Sequence, residues 1–178
     1  MRRPLLRAFW SDRRGSATVE MVLVLPLLVW AYLGIYVFFD AFAKITVSSK
    51  ATYTISDMLS RQRSSVDGTF LANAHGLFDW LTGARATSFR VSSITWDVTS
   101  QSYEVQWSFA EGGPDIQTDA TIGDYEDRIP VLPEGDYLIL VETWMDYTPL
   151  FLQFLDPFTF TEFTVTRPRF MPKLDFTG

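Results

Sequence analysis

The sequence predicts an α+β protein: one long N-terminal helix crosses a membrane and continues into a small domain with an antiparallel sheet of about four strands. Three observations lead to this prediction. Residues 21–39 contain no charged side chain in nineteen residues, about the length that a helix needs to cross the hydrocarbon layer of a bilayer. Beyond residue 39, no proline or glycine occurs before Gly68, so the helix has no stop signal. Runs of alternating polar and apolar residues follow in the second half.

The charge distribution places the two ends of the chain in different surroundings. Residues 1–14 hold five arginines and one aspartate, whereas residues 40–178 hold ten basic and nineteen acidic side chains. A short basic flank beside an apolar span is typical of the cytoplasmic side of a membrane. This predicts a cytoplasmic leader at 1–15, a transmembrane helix at 16–40 and a domain at 41–178 on the far side. The acidic domain has no basic face for nucleic acid, which excludes that class of partner.

The apolar segment is distinguished from a cleaved secretory signal by its length and its exit. A secretory signal would have about 7–15 apolar residues and would end at a small-x-small site. Here the segment is longer and ends with Phe38, Phe39 and Asp40. Glu20 lies at its inner edge, where an ionised carboxylate is costly unless it has a partner or reaches the headgroups. Pro26 lies within the predicted helix, where the missing amide donor predicts a kink.

The residues around Glu20 carry a resemblance to a known family. The run RRGSATVEMVLVLPLLV places Gly15 directly before Ser16, with Glu20 fifth when counted from Ser16. This run resembles the class-III signal of type IV pilins and pseudopilins, and within that group it looks like TadE-like proteins of tight-adherence (Flp) pilus systems. Met21 stands where the family commonly has an aromatic residue. The resemblance is clearest over residues 13–63, weaker over 137–169 and absent as a motif over 64–136.

The resemblance implies a function, a location and a set of partners. A prepilin peptidase would cut between Gly15 and Ser16, and Glu20 would pair with the new amino group of a neighbouring subunit. The chain would be a structural minor pseudopilin, not an enzyme, that takes part in assembly, priming or anchoring of a Flp pilus. It would lie in the bacterial inner membrane with a periplasmic, pilin-like domain at 41–178. Its partners would be the peptidase, other pilin-like subunits, the pilus assembly platform and membrane lipid.

The remaining elements are predicted from periodicity. The long helix continues beyond the membrane with Val47, Ala51, Ile55 and Met58 or Leu59 at helical spacing, and it breaks at residues 64–68. A second helix is expected at 69–81, with Phe70, Ala74, Leu77 and Leu81 on its buried face and Gly83 as its stop. A hairpin follows, with strands at 89–98 and 103–109. A loop of about twenty residues begins at 111, and strands are expected at 137–147, in the centre of the sheet, and at 160–166.

The sequence offers little reactive chemistry. Without cysteine and with His75 as the single histidine, the chain excludes thiolate chemistry and a two-histidine zinc site, and His75 is interpreted as a surface or packing residue. The acidic residues of the long loop suggest calcium, but their spacing matches no EF-hand and we interpret them as a solvated loop. We therefore expect no metal and no cofactor. The aromatic cluster at 151–163 is a candidate contact patch.

Three alternatives remain open from the sequence. The chain could be an uncleaved, single-span binding module whose acidic loop recognises a ligand, and such a module would keep residues 1–15. It could be a minor pseudopilin of type II secretion, a near neighbour of the TadE-like group. A membrane-anchored hydrolase is disfavoured because the chain has one histidine and no sequence typical of a nucleophile.

Overall fold

The computed structural model describes residues 16–178 and shows an α+β fold. Helix α1 runs unbroken over Ser16–Ser60. Its outer third packs on the domain through Ala51, Ile55 and Leu59, which are fully covered. The predicted continuation of the helix is therefore confirmed, except that Val47 remains exposed. The helix ends at Ser60, a little before the predicted break.

The sheet has four antiparallel strands in the order β2-β1-β3-β4. Strands β1 and β2 cover Thr87–Asp97 and Ser102–Glu111, and they form the predicted hairpin. Strand β3, Tyr137–Tyr147, lies between β1 and β4, so its prediction as a central strand is confirmed. Strand β4, Phe158–Thr166, forms one edge of the sheet.

Helix α2, Gly68–Thr82, begins where Asp67 accepts a hydrogen bond from the amide of Phe70, and it ends at Gly83 in the left-handed region, with φ of 65°. Glycine is favoured at this position because a Cβ atom would be strained there. The predicted buried face was correct at Ala74 and displaced by one residue at Phe70, Leu77 and Leu81. The covered residues are Leu71, Ala74, His75, Phe78 and Thr82. Phe70 and Leu81 lie at the edge of the core, because the true apolar stripe is centred on Leu71 and Phe78.

The two faces of the sheet are covered by different elements. Helices α1 and α2 cover one face, where Phe89 and Val91 of β1 meet Val141 of β3. The other face carries a second apolar cluster that includes Ile94, Leu138 and Leu140. Side chains alternate between the two faces along each strand, so β3 is apolar on both faces, as predicted.

The segment between β2 and β3 covers the second face. It contains the short helix α3, Asp119–Ile122, and a 3-10 helix over Gly123–Arg128. Ile122, Ile129 and Leu132 are buried against the sheet. The acidic side chains of this segment are exposed, as interpreted from the sequence, whereas its three buried apolar residues hold its backbone against the sheet.

Candidate functional site

The N-terminal part of α1 extends away from the domain. Every residue over 17–30 is exposed, and the most apolar window of the helix has a mean hydropathy of 2.3 with only 6% of it buried. A core helix of a soluble domain would be mostly covered. Among the described residues, α1 alone is long and apolar enough to cross a membrane, and a membrane anchor or a signal sequence would both have this form.

Glu20 lies on this exposed part of the helix. The helix begins at Ser16, and Glu20 follows four residues later, so the two positions lie on the same face, one turn apart. Glu20 contacts no basic side chain among residues 16–178, so its carboxylate is available to a partner outside this part of the chain. Gly15, the other residue of the predicted processing site, lies outside the described residues.

Pro26 lies inside α1, and the helix continues on both sides of it. A proline has no amide hydrogen, so the carbonyl of Val22 lacks its usual partner one turn later. Such a position is tolerated in membrane helices. The predicted kink at Pro26 stays a prediction.

A polar contact joins α1 to the sheet at the end of the apolar segment. The Tyr147 hydroxyl donates a hydrogen bond of 2.9 Å to the Asp40 carboxylate and lies 3.5 Å from the carbonyl oxygen of Val37. Burial, together with the hydrogen bond and the charge of Asp40, raises the pKa of Tyr147 from 10.0 to about 12. The neutral phenol therefore stabilises the attachment of the helix to the domain.

This raised pKa predicts a loss of stability at alkaline pH. Above pH 10 the unfolded chain releases the Tyr147 proton while the folded chain keeps it until about pH 12, so the free energy of unfolding falls as pH rises through that window. Tyr147→Phe is expected to reduce this loss of stability. Tyr53→Phe, at an exposed position of α1, should show the same loss as the wild type. The measurement is unfolding of the full chain in detergent across this pH range. Equal pH dependence in all three proteins would contradict the assignment.

A second contact lies deeper along the apolar helix. The ring of Phe154, in the connection between β3 and β4, lies with its centroid 5.1 Å from that of Trp30. A Cβ atom placed on Gly34 would come within 3.1 Å of the same ring, so the glycine allows close approach. The β3–β4 connection thus reaches the predicted span, a contact between distant residues that no local sequence pattern predicts.

A buried ion pair that no local sequence pattern predicts joins strands β1 and β3. Arg90 and Glu142 are direct partners in the β1–β3 register, and two hydrogen bonds of 2.6 and 2.9 Å join them. Arg90 also donates to the carbonyl of Asp115 and to the hydroxyl of Tyr125, both in the segment that covers the second face. Burial lowers the pKa of Arg90, but the interactions with Glu142 and Tyr125 together more than offset this, and the net pKa is raised. The pair therefore fastens that segment to the sheet.

His75 has a packing role, consistent with its interpretation from the sequence. Its ring stacks on Phe89 with centroids 5.7 Å apart, and its Nε2 atom lies 2.8 Å from the hydroxyl oxygen of Thr87. Its Nδ1 atom is 3.3 Å from a carboxylate oxygen of Glu111. The ring thus joins α2 to the first residue of β1 and the last residue of β2.

The acidic side chains of the segment between β2 and β3 are spread along it, and one of them has a structural contact. Asp119 accepts a hydrogen bond from the amide of Val105, so this carboxylate holds α3 against β2. Within residues 16–178, no three histidine or acidic side chains converge as ligands for an ion.

Comparisons with protein families, with characterised proteins and with solved structures found no significant match.

Proposed function

We propose that this chain is a TadE-like minor pseudopilin that takes part in assembly, priming or anchoring of a Flp pilus in the bacterial inner membrane. The supporting observation is one continuous helix with two different halves. Its N-terminal part is apolar and is exposed over residues 17–30, and its C-terminal half packs on an antiparallel sheet. The exposed half is free to contact lipid first and the helices of other pilin-like subunits later.

Glu20 is the proposed assembly residue. Removal of residues 1–15 by a prepilin peptidase would expose an α-amino group at Ser16. In a surrounding of low dielectric constant, the Glu20 carboxylate of one subunit attracts the amino group of the next strongly. Glu20 is exposed and near the start of α1, which is the position that such an intersubunit pair requires.

Glu20→Ala is expected to allow processing but to impair assembly. A charge-assisted hydrogen bond contributes about 1.5–3 kcal/mol, so recovery of the chain with pilin-like subunits should fall at least about tenfold. The measurement is co-purification of the tagged full chain from membranes of cells that contain the assembly platform. Glu20→Asp keeps the charge and should retain part of the binding. Thr18→Ala, at an exposed position two residues earlier, should resemble the wild type. Undiminished assembly of Glu20→Ala would contradict the proposal.

The alternative of an uncleaved binding module depends on recognition by the acidic loop. That segment is held against the sheet by Ile122, by Ile129 and by the hydrogen bond from Arg90 to the carbonyl of Asp115. The two interpretations differ in whether residues 1–15 are kept, which the mass of the mature chain measures.

A further inference from the structure

The connection between β3 and β4 is an unusually apolar surface segment. Residues 148–157, the apolar loop, have the sequence TPLFLQFLDP, in which Asp156 is the single charged residue. Leu150 and Leu152 are 72% and 55% exposed. Two large aliphatic side chains exposed in one short loop indicate a contact surface.

The position of the apolar loop along α1 indicates what it contacts. Phe154 packs against Trp30 and Gly34, both inside the uncharged segment 21–39. Trp30 precedes Asp40 by ten residues, which corresponds to about 15 Å along a helix at 1.5 Å per residue. If α1 spans a bilayer whose hydrocarbon layer is about 30 Å thick and leaves that layer near Asp40, Trp30 lies about halfway across the layer and Gly34 lies between Trp30 and the surface on the side of the domain.

We propose that the apolar loop is seated in the membrane, in the leaflet on the side of the domain, with Leu150 and Leu152 in contact with lipid acyl chains. This inference depends on the proposed membrane span of α1. The loop is fixed to the span by Phe154, so a helix that crosses the bilayer carries the loop to the same depth. No charge lies between Asp146 and Asp156 to oppose insertion.

The surroundings of the loop support the same depth. Between the loop and the sheet, Phe42 and Phe158 are exposed and line an apolar groove with Ile45 and Leu155. The apolar surface is therefore continuous from the loop to the start of β4. Within the loop, the amide of Phe154 donates to the carbonyl of Phe151, which satisfies part of its backbone.

The inserted loop would act as a second membrane contact beside the helix. A single helix is free to rotate about its axis and to tilt, whereas a helix with an apolar loop fixed to one side presents a defined face to each leaflet. The inserted loop would therefore orient the domain, and with it the exposed face of α1, before partner subunits bind.

The absence of cysteine from the chain allows a direct test with single-cysteine variants. Leu152→Cys and Leu150→Cys would be prepared in the full chain, labelled with an environment-sensitive fluorophore and reconstituted into phosphatidylcholine–phosphatidylglycerol vesicles. Leu27→Cys reports the predicted span, and Val131→Cys, at a side chain 93% exposed on the far part of the domain, reports water. Quenching is measured with lipids that carry a nitroxide on the acyl chain and with aqueous iodide.

The expected result is that the labels at 150, 152 and 27 are quenched by the nitroxide lipids and protected from iodide, whereas the label at 131 shows the reverse. If 27 is quenched by lipid while 150 and 152 are quenched by iodide, the loop proposal fails and the membrane span stands. If 150 and 152 are shielded from both quenchers, protein covers the loop and the lipid proposal is overturned. If 27 is also quenched by iodide, the span itself fails, and the loop proposal and the proposed function fail with it.

Discussion

Gly15→Val is expected to leave the chain at full length in cells that contain the cognate prepilin peptidase, while the wild-type chain loses residues 1–15. The proposed cut follows Gly15, where the absence of a side chain lets the protease approach the backbone closely. A branched side chain at this position would obstruct that approach. The effect should be close to complete, and the intact mass of the chain recovered from membranes measures it.

The matched control is Ala8→Val, which introduces the same side chain elsewhere in the leader. This variant should be processed like the wild type, because residue 8 is distant from the cut. If Gly15→Val were shortened to the wild-type mass, the processing site would not be at Gly15. If Ala8→Val also remained at full length, the loss of processing could not be assigned to the glycine.

Glu142→Gln is expected to lower the free energy of unfolding by about 3–5 kcal/mol, the usual range when one partner of a buried ion pair is removed. Glu142 is 3% exposed and pairs with Arg90, which is 8% exposed, so the guanidinium would stay buried without its counter-charge. The rings of Trp144 and Tyr125 lie near the guanidinium, at 5.4 and 5.8 Å, but they cannot replace a carboxylate. The measurement is denaturant unfolding of the full chain in detergent.

Glu134→Gln is the control. This substitution removes the same charge, but Glu134 is exposed and lies shortly before β3. Its effect should lie within about 0.5 kcal/mol of the wild type, as for surface substitutions in general. Equal stability of the two variants would contradict the role assigned to the Arg90–Glu142 pair. The loss of Glu142 would also weaken the attachment of the segment over Gly123–Arg128, which Arg90 holds through the hydroxyl of Tyr125.

The elements of the fold could be predicted because their signals are local. Alternation in β1 and β2 identified the hairpin, and Gly83 identified the end of α2. Strand β3 was predicted to be central because it is apolar on both faces. The buried face of α2 was misplaced because Phe70 and Leu71 are adjacent and both apolar, so periodicity alone does not decide which one points inward.

The contacts that define the site depend on long-range register, which periodicity does not contain. Arg90 and Glu142 were each visible as a charge within an apolar strand, but their pairing required the β1–β3 register. The contact of Phe154 with Trp30 joins residues far apart in sequence, and no local pattern predicts it. Glu20 could be proposed from the sequence because its signal is local: a carboxylate at the edge of an apolar span, at the fifth position counted from a potential new N-terminus.

N-terminal sequencing of the wild-type chain tests the proposed function most directly. The chain would be recovered from membranes of cells that contain the cognate prepilin peptidase, and from matched cells that lack it. We predict that the mature chain begins at Ser16 in the first and at Met1 in the second. A chain that begins at Met1 in both would contradict the pseudopilin proposal and favour an uncleaved membrane-anchored module. A chain that begins beyond the apolar segment, such as at Ala41, would contradict it in favour of a secretory signal.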